Sequence, residues 1–271
     1  MRSGHYVGGP EVEAFETEFA AFCGSRHGVA IGNGTDALRL ALLAAGVGPG
    51  DEVVTTPFTF IGTTEAISQC GARFVLADIE PDTFTIDPAS TERVITPRTR
   101  AILPVHLYGQ TADMRRIGAL ATARRLAIVE DACQAHGAAL DGRRAGAFGT
   151  AAAFSFYPTK NLGGFGEGGF VTTDDADVAA RVRRLRDHGQ SAKYLHAEEG
   201  WNGRLDALQC ALLRVKLRRL EAWNTRRRAI ADRYRAALAP LEARERVRLP
   251  VERPGGVAVY HQFAVRIPAD R

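Results

Sequence analysis

ADMRRIGALATARRLAIVED, residues 112–131, reads as a helix over Ala112–Arg124 running into a short apolar strand, Leu126–Val129, that ends in two acids, Glu130 and Asp131. The same alternation extends outward in both directions. Short apolar runs suited to buried strands occur at Glu52–Thr56, Arg73–Ala77, Ala101–Val105, Ala151–Phe156 and Gly169–Thr173. Helical stretches at Thr63–Gln69 and Asp177–Arg186 separate several of them, and helices at Glu11–Cys23 and Asp36–Ala45 precede them. In the first of these, Phe15, Phe19 and Phe22 recur at helical spacing. Strands alternating with helices predict an α/β fold: a mostly parallel sheet covered by helices on both faces.

After Gly203 the pattern changes. Leu205–Lys216 and Leu220–Leu238 read as two helices, Pro240, Pro250 and Pro254 punctuate the next stretch, and Val257–Ile267 looks like a strand. The expected organisation is a large domain over 1–219 and, over 220–271, a linker helix with the opening of a smaller α+β domain. One strand gives little from which to close a second core.

Composition excludes several function classes. The 271 residues are 45% hydrophobic and 24% charged, with no low-complexity tract. No apolar run approaches a membrane span of roughly 20 residues, and Met1–Pro10 lacks an apolar signal-peptide core. Cys23, Cys70, Cys133 and Cys210 form no CxxC pair, so neither a metal site nor a disulfide framework is suggested. A cytoplasmic enzyme is the expectation. The net charge of +4 hides an asymmetry, with 18 Lys or Arg against 8 Asp or Glu between Arg181 and Arg248. The basic residues carry no nucleic-acid-binding motif and suit the solvated faces of long helices.

Three segments carry residues suited to chemistry. Gly32-Asn33-Gly34-Thr35 precedes a helix; Thr35 can cap it, and the helix start suits a phosphate, although a capped turn needs no ligand. In Leu126–Asp131, strand alternation sends Glu130 and Asp131 to opposite faces, so only one can address a given site. A carboxylate at the carboxyl end of such a strand sits where ligands bind in open α/β sheets, and Gln134 lies on the same loop. The stretch from Phe154-Ser155-Phe156-Tyr157-Pro158-Thr159-Lys160 to Gly169 places one lysine among aromatic, hydroxyl and glycine residues. Apolar neighbours there would desolvate the amine, as imine chemistry needs.

Taken together and in order, with the acid 29 residues before the lysine, these segments resemble the DegT/StrS-type sugar aminotransferases, of aspartate-aminotransferase-like fold type I. The resemblance runs from Tyr6-Val7-Gly8-Gly9-Pro10 to Ala231-Asp232-Arg233-Tyr234. It implies pyridoxal 5'-phosphate held as a Schiff base on Lys160, with Lys160 then serving as base and acid of the proton shift. It further implies Asp131 against the pyridinium nitrogen, Gln134 at the phenolic oxygen, Phe60 stacked on the ring, and Gly34, Thr35 and Ser155 on the phosphate. Trp201-Asn202-Gly203-Arg204 matches a segment that crosses into a neighbouring subunit, where Asn202 would reach the partner's phosphate and Arg204 the partner's substrate. The resemblance thus implies a homodimer with shared sites.

The activity implied is transfer of an amino group, by family expectation from L-glutamate, to a keto sugar linked to a nucleotide. Lys160-Asn161-Leu162-Gly163 with His188-Gly189-Gln190 and Lys193-Tyr194 looks most like members that aminate a 3-keto hexose. The alternatives are a non-catalytic cofactor- or sugar-nucleotide-binding regulatory protein, or a dehydratase relative, in which histidine replaces the lysine. Relatives have a further N-terminal helix and a longer C-terminal domain. The resemblance therefore implies a complete cofactor site and an incomplete substrate wall.

Overall fold

The computed structural model describes residues 4–268. Its strands are β1 (His27–Ile31), β2 (Glu52–Thr55), β3 (Arg73–Leu76), β4 (Thr99–Ile102), β5 (Ala127–Asp131), β6 (Ala139–Leu140), β7 (Arg143–Arg144), β8 (Ala151–Ser155), β9 (Gly169–Thr173), β10 (Gln190–Ala192), β11 (Leu195–His196) and β12 (Gly256–Val257). Its helices are α1 (Pro10–Cys23), α2 (Gly34–Ala44), α3 (Gly62–Gln69), α4 (Pro88–Val94), α5 (Met114–Arg124), α6 (Ala176–Arg186) and α7 (Ala207–Glu242). Seven strands form one sheet in the order β1-β9-β8-β5-β4-β2-β3. Neighbours run parallel except at β9, which is antiparallel to both β1 and β8.

Strand alternation gives the sheet two buried faces. On β8, Ala151 and Ala153 join the layer formed with α2, α3 and α6, where Leu38, Leu42, Ile67 and Val182 pack. Ala152 and Phe154 turn to the other face, beneath α1 and the first half of α7. There Phe15, Phe19, Phe154, Phe156 and Phe170 stack mostly edge to face, the arrangement aromatic rings prefer. Each fully buried ring contributes about 2–3 kcal/mol of apolar transfer free energy.

The α/β sheet reading holds, with differences in detail. α7 is continuous where the sequence pattern predicts two helices: Leu213, Leu217 and Leu220 keep one stripe on the aromatic core, so nothing interrupts the helix at 217–219. The expected strand at Val257–Ile267 pairs only at Gly256–Val257, against β6, with a bridge between Arg248 and Arg266. The backbone between them bonds to loops instead: Val259 N–H donates to Gly109 O at 2.8 Å, and Val259 O accepts from the Asn161 side chain at 3.0 Å. Arg253, nearly buried, pins this tail to the sheet domain by pairing with Glu80 and, at 3.2 Å, with Asp113. β1 is a strand that the sequence pattern does not announce. Its run His27–Ile31 holds a glycine and is short, and it becomes a strand by pairing with the distant β9.

Candidate active site

The carboxyl ends of β4, β5 and β8 and the start of α2 surround a cavity of about 750 Å³. This is the edge of an open α/β sheet where ligands bind, and the volume suits a cofactor with part of a substrate. Gly34, Thr35, Phe60, Asp131, Gln134, Ser155 and Lys160, each expected at the site, all line this one cavity.

The two acids of β5 separate as alternation requires. Glu130 is fully buried on the far face, accepting from the backbone N–H of Gly146 (2.9 Å), Phe148 (2.7 Å) and Gly149 (2.9 Å) and pairing with His106 Nε2 at 2.9 Å. Asp131 faces the cavity. Its Oδ2 accepts from Thr63 Oγ1 at 2.8 Å and its Oδ1 from Cys133 N–H at 3.2 Å. Thr59 Oγ1 lies 2.7 Å from Thr63 Oγ1, which completes a short hydroxyl chain. Both carboxylate oxygens are thus held in place by donors.

At α2 the cap is Asn33 rather than Thr35: the Asn33 side chain accepts from Asp36 N–H at 2.8 Å. That leaves the Thr35 hydroxyl on the cavity wall beside first-turn amides that have no partner within the helix. A Cβ on Gly34 would come within 2.7 Å of Ser155 Cβ, so a glycine is required for the helix start to abut β8. Gln134 is oriented by its neighbour. Tyr108 N–H donates to Oε1 at 2.8 Å, which leaves the amide Nε2 as the group free to meet an oxygen.

Three further cavity residues are not singled out by the sequence. Thr63 reads there only as part of a helix, although Thr59 and Thr63 stand one helical turn apart and so can meet. Cys133 comes two residues after Asp131; burial, then the Asp131 charge, raises its thiol well above the ordinary range, so it stays neutral. His261 arrives from the tail and sets its Nδ1 3.3 Å from Asn161 Oδ1. Burial first, then the charges of Lys160 and Arg227, lowers its pKa to about 4.

His136, packed among Phe19, Phe154 and Phe156, is lowered to about 3 by burial and then by Lys160 and His261. Both histidines are thus kept neutral in the folded chain while the unfolded chain protonates them below about 6.5. Stability should be complete above about pH 6.5 and fall as the pH drops toward 4, by about 1 kcal/mol per pH unit for each histidine. Urea titrations at about pH 7 and pH 5 measure this. His136→Phe should flatten the dependence by one histidine's share; an unchanged slope would show that His136 is not the group responsible.

Asn202 and Arg204 do not line the cavity. Arg204 bridges to Ile31 at the end of β1, and Gly32 N–H donates to Gly203 O at 2.7 Å. The guanidinium pairs with Asp187 and donates to Asn202 Oδ1 at 2.6 Å. Both side chains therefore lie off the chain's own cavity. Phe60 and Tyr157, which line the cavity, are exposed, as are Ile61 and Phe165 on the same loops.

The family model for the DegT/DnrJ/EryC1/StrS aminotransferase family matches residues 1–271. A dTDP-3-amino-3,4,6-trideoxy-alpha-D-glucose transaminase of Streptomyces venezuelae is 51% identical over 98% of this chain and 69% of its own length. A pleiotropic regulatory protein of Geobacillus stearothermophilus is 47% identical over 99% of this chain and 72% of its own. Among solved structures, S. venezuelae DesV in complex with a ketimine intermediate superimposes with a TM-score of 0.95 at 50% identity, covering 98% of this chain and 71% of that one.

Proposed function

We propose that this chain, which belongs to the DegT/DnrJ/EryC1/StrS aminotransferase family, uses pyridoxal 5'-phosphate to move an amino group from L-glutamate to a 3-keto hexose carried on a nucleoside diphosphate. One observation carries the reading: a single cavity joins a lysine, a carboxylate fixed by two donors, and a helix start flanked by hydroxyls. This donor set fits the cofactor. First-turn amides of α2 with Thr35 and Ser155 suit a phosphate, Asp131 suits a protonated ring nitrogen, Gln134 Nε2 suits an anionic oxygen, and Phe60 offers a face for a flat ring.

When bound, the cofactor supplies an electron sink that acidifies the C–H bond beside the reacting nitrogen. Lys160 would hold the cofactor at rest. Once displaced, its Nζ would be the base that takes the proton from the glutamate α-carbon and the acid that delivers it to the cofactor side of the same nitrogen, and in the second half it would carry a proton the other way, to the sugar carbon. Asp131, fixed by Thr63 and the Cys133 amide, would hold the proton on the ring nitrogen. The walls of the cavity orient the carbon next to the amine, which converts a bimolecular encounter into a positioned one.

The reading includes a cytoplasmic homodimer. No described helix is long and apolar enough to cross a membrane, and the exposed aromatic residues at the mouth offer a face for a second copy. In that dimer Asn202 would reach the partner's phosphate and Arg204 the partner's substrate, in keeping with their position off their own cavity. Residues 1–219 form the cofactor-binding domain and 220–271 open the second; residues 1–3 and 269–271 lie outside the described part.

The relative with a regulatory name favours a second reading, a cofactor-binding regulator. One assay separates the two. The full chain, loaded with pyridoxal phosphate, is given L-glutamate and a dTDP- or UDP-linked 3-keto hexose, and amino sugar and 2-oxoglutarate are measured by mass spectrometry. Stoichiometric product supports the transaminase. Bound cofactor with no product from either sugar supports the regulator.

A further inference from the structure

Asparagine is a poor choice for the buried middle of a long helix, since it favours non-helical backbone and brings two polar atoms that need partners. Asn224 sits in α7 at 1% exposure and has both atoms satisfied. Its Oδ1 accepts from Asn161 Nδ2 at 2.9 Å, and its Nδ2 donates to His136 O at 2.8 Å. The two partners belong to different loops of the site. Asn161 is the residue after Lys160; His136 lies five residues after Asp131.

The surroundings are shaped for this contact. Gly137, next to His136, has φ of +90°, and a Cβ there would come 2.9 Å from Asn224 Nδ2. Asn161, itself buried, spends its remaining capacity on Val259 O at 3.0 Å and faces His261 Nδ1. One carboxamide thus joins the loop after β5 to the loop after β8. An apolar side chain would fill the same space without that link, and fully satisfied buried networks of this sort fix geometry more than they add stability.

We propose that Asn224 is a positioning residue, setting where Lys160 stands relative to Asp131 by clamping their two loops through Asn161 and the His136 carbonyl. The proposal rests on the reading that Lys160 holds the cofactor and Asp131 meets its ring nitrogen. It makes the helix leading toward the second domain part of the device that aligns the site. Gln209 and Lys216 of α7 also bond to Phe165 and Gly163 further along the Lys160 loop, but Asn224 is the side chain that holds both loops at once.

The test compares the full chain with Asn224→Ala and Asn161→Ala, each loaded with pyridoxal phosphate. Three quantities are read: borohydride-stable label on Lys160, the pH midpoint of the bound cofactor's visible absorbance, and the cofactor dissociation constant. Urea titration of each protein reports folding separately. Both variants are expected to keep label on Lys160, to shift the absorbance midpoint by about one pH unit, and to weaken cofactor binding about tenfold. Asn161→Ala leaves the Asn224–His136 bond in place, so it decides the matter if Asn224→Ala does not fold. Variants that lose only folding stability, with midpoint and dissociation constant as in the parent, overturn the clamp alone. A parent with no label on Lys160 overturns the cofactor reading and the clamp with it.

Discussion

Replacing Lys160 with alanine should lower turnover by on the order of 10⁴-fold, the upper range for loss of a positioned acid–base group, and should remove the borohydride-stable label. Among the described residues, no other lysine lines the cavity with Lys160. The neighbouring histidine is held neutral by burial and by the lysine's own charge, and the adjacent thiol is held neutral as well. A rescue through Cys133 acting as a nucleophile is therefore not expected, because the thiolate is the reactive form. Cofactor should still bind through the phosphate cradle of α2 and through Asp131, so the variant should retain pyridoxal phosphate non-covalently. Lys160→Arg should behave like the alanine variant, since guanidinium keeps the charge but is neither a base nor a nucleophile at neutral pH. Turnover within about tenfold of the parent in either variant would sink the assignment of Lys160.

The second large effect falls one residue from Asp131, the carboxylate assigned to the cofactor's ring nitrogen, and should have nothing to do with catalysis. Glu130→Ala should destabilise the fold by about 4 kcal/mol. The side chain is fully buried and is the acceptor for three backbone amides of the 146–149 loop and for His106. Its removal strands several buried donors, each costing about 1–3 kcal/mol when left without a partner. Domains of this kind are stable by only about 5–15 kcal/mol in total, so the loss should be visible as a large fall in the urea midpoint. Glu130→Gln, which keeps one carbonyl acceptor, should fall between. Asp131→Asn should leave the urea midpoint nearly in place and weaken cofactor binding instead. Equal urea midpoints for Glu130→Ala and the parent would show that the 146–149 loop finds its acceptors elsewhere.

These adjacent residues also mark what a sequence discloses. Period-two alternation is a local rule, so the division of labour between Glu130 and Asp131 is legible from six residues, as are the strand entering the Lys160 loop and the helix start after Gly32. Which acid faces the ligand is not, and the family resemblance supplies that choice. Residues whose partners come from far along the chain escape local reading. His261 reaches the cavity from a tail held by distant partners, Arg253 on Glu80 and Asp113 and Val259 on Gly109 and Asn161. Asn224 looks like one more polar position in a basic helix until His136 and Asn161 are seen on either side of it. The break expected in α7 has no glycine or proline behind it, and Leu217 and Leu220 carry the helix through that point. Asn202 and Arg204 are legible only through the resemblance, since nothing among the described residues of one copy directs them to a ligand.

The antiparallel strand β9 also dictates how this protein can be made. Among the described residues β1 sits at the sheet's edge with β9 as its only partner strand, and Ile31 pairs with Gly169, 138 residues further on. A ribosome adding about 5–20 residues per second needs roughly 7–28 s to synthesise that interval. Throughout it the Phe15 and Phe19 rings of α1 lack Phe154, Phe156 and Phe170, which are made late in the same interval or at its end. The nascent amino-terminal segment therefore spends its youth as an unpaired strand behind a greasy helix. Chaperone occupancy on ribosome-bound chains should be highest before residue 173 emerges and should drop once β9 is free to pair.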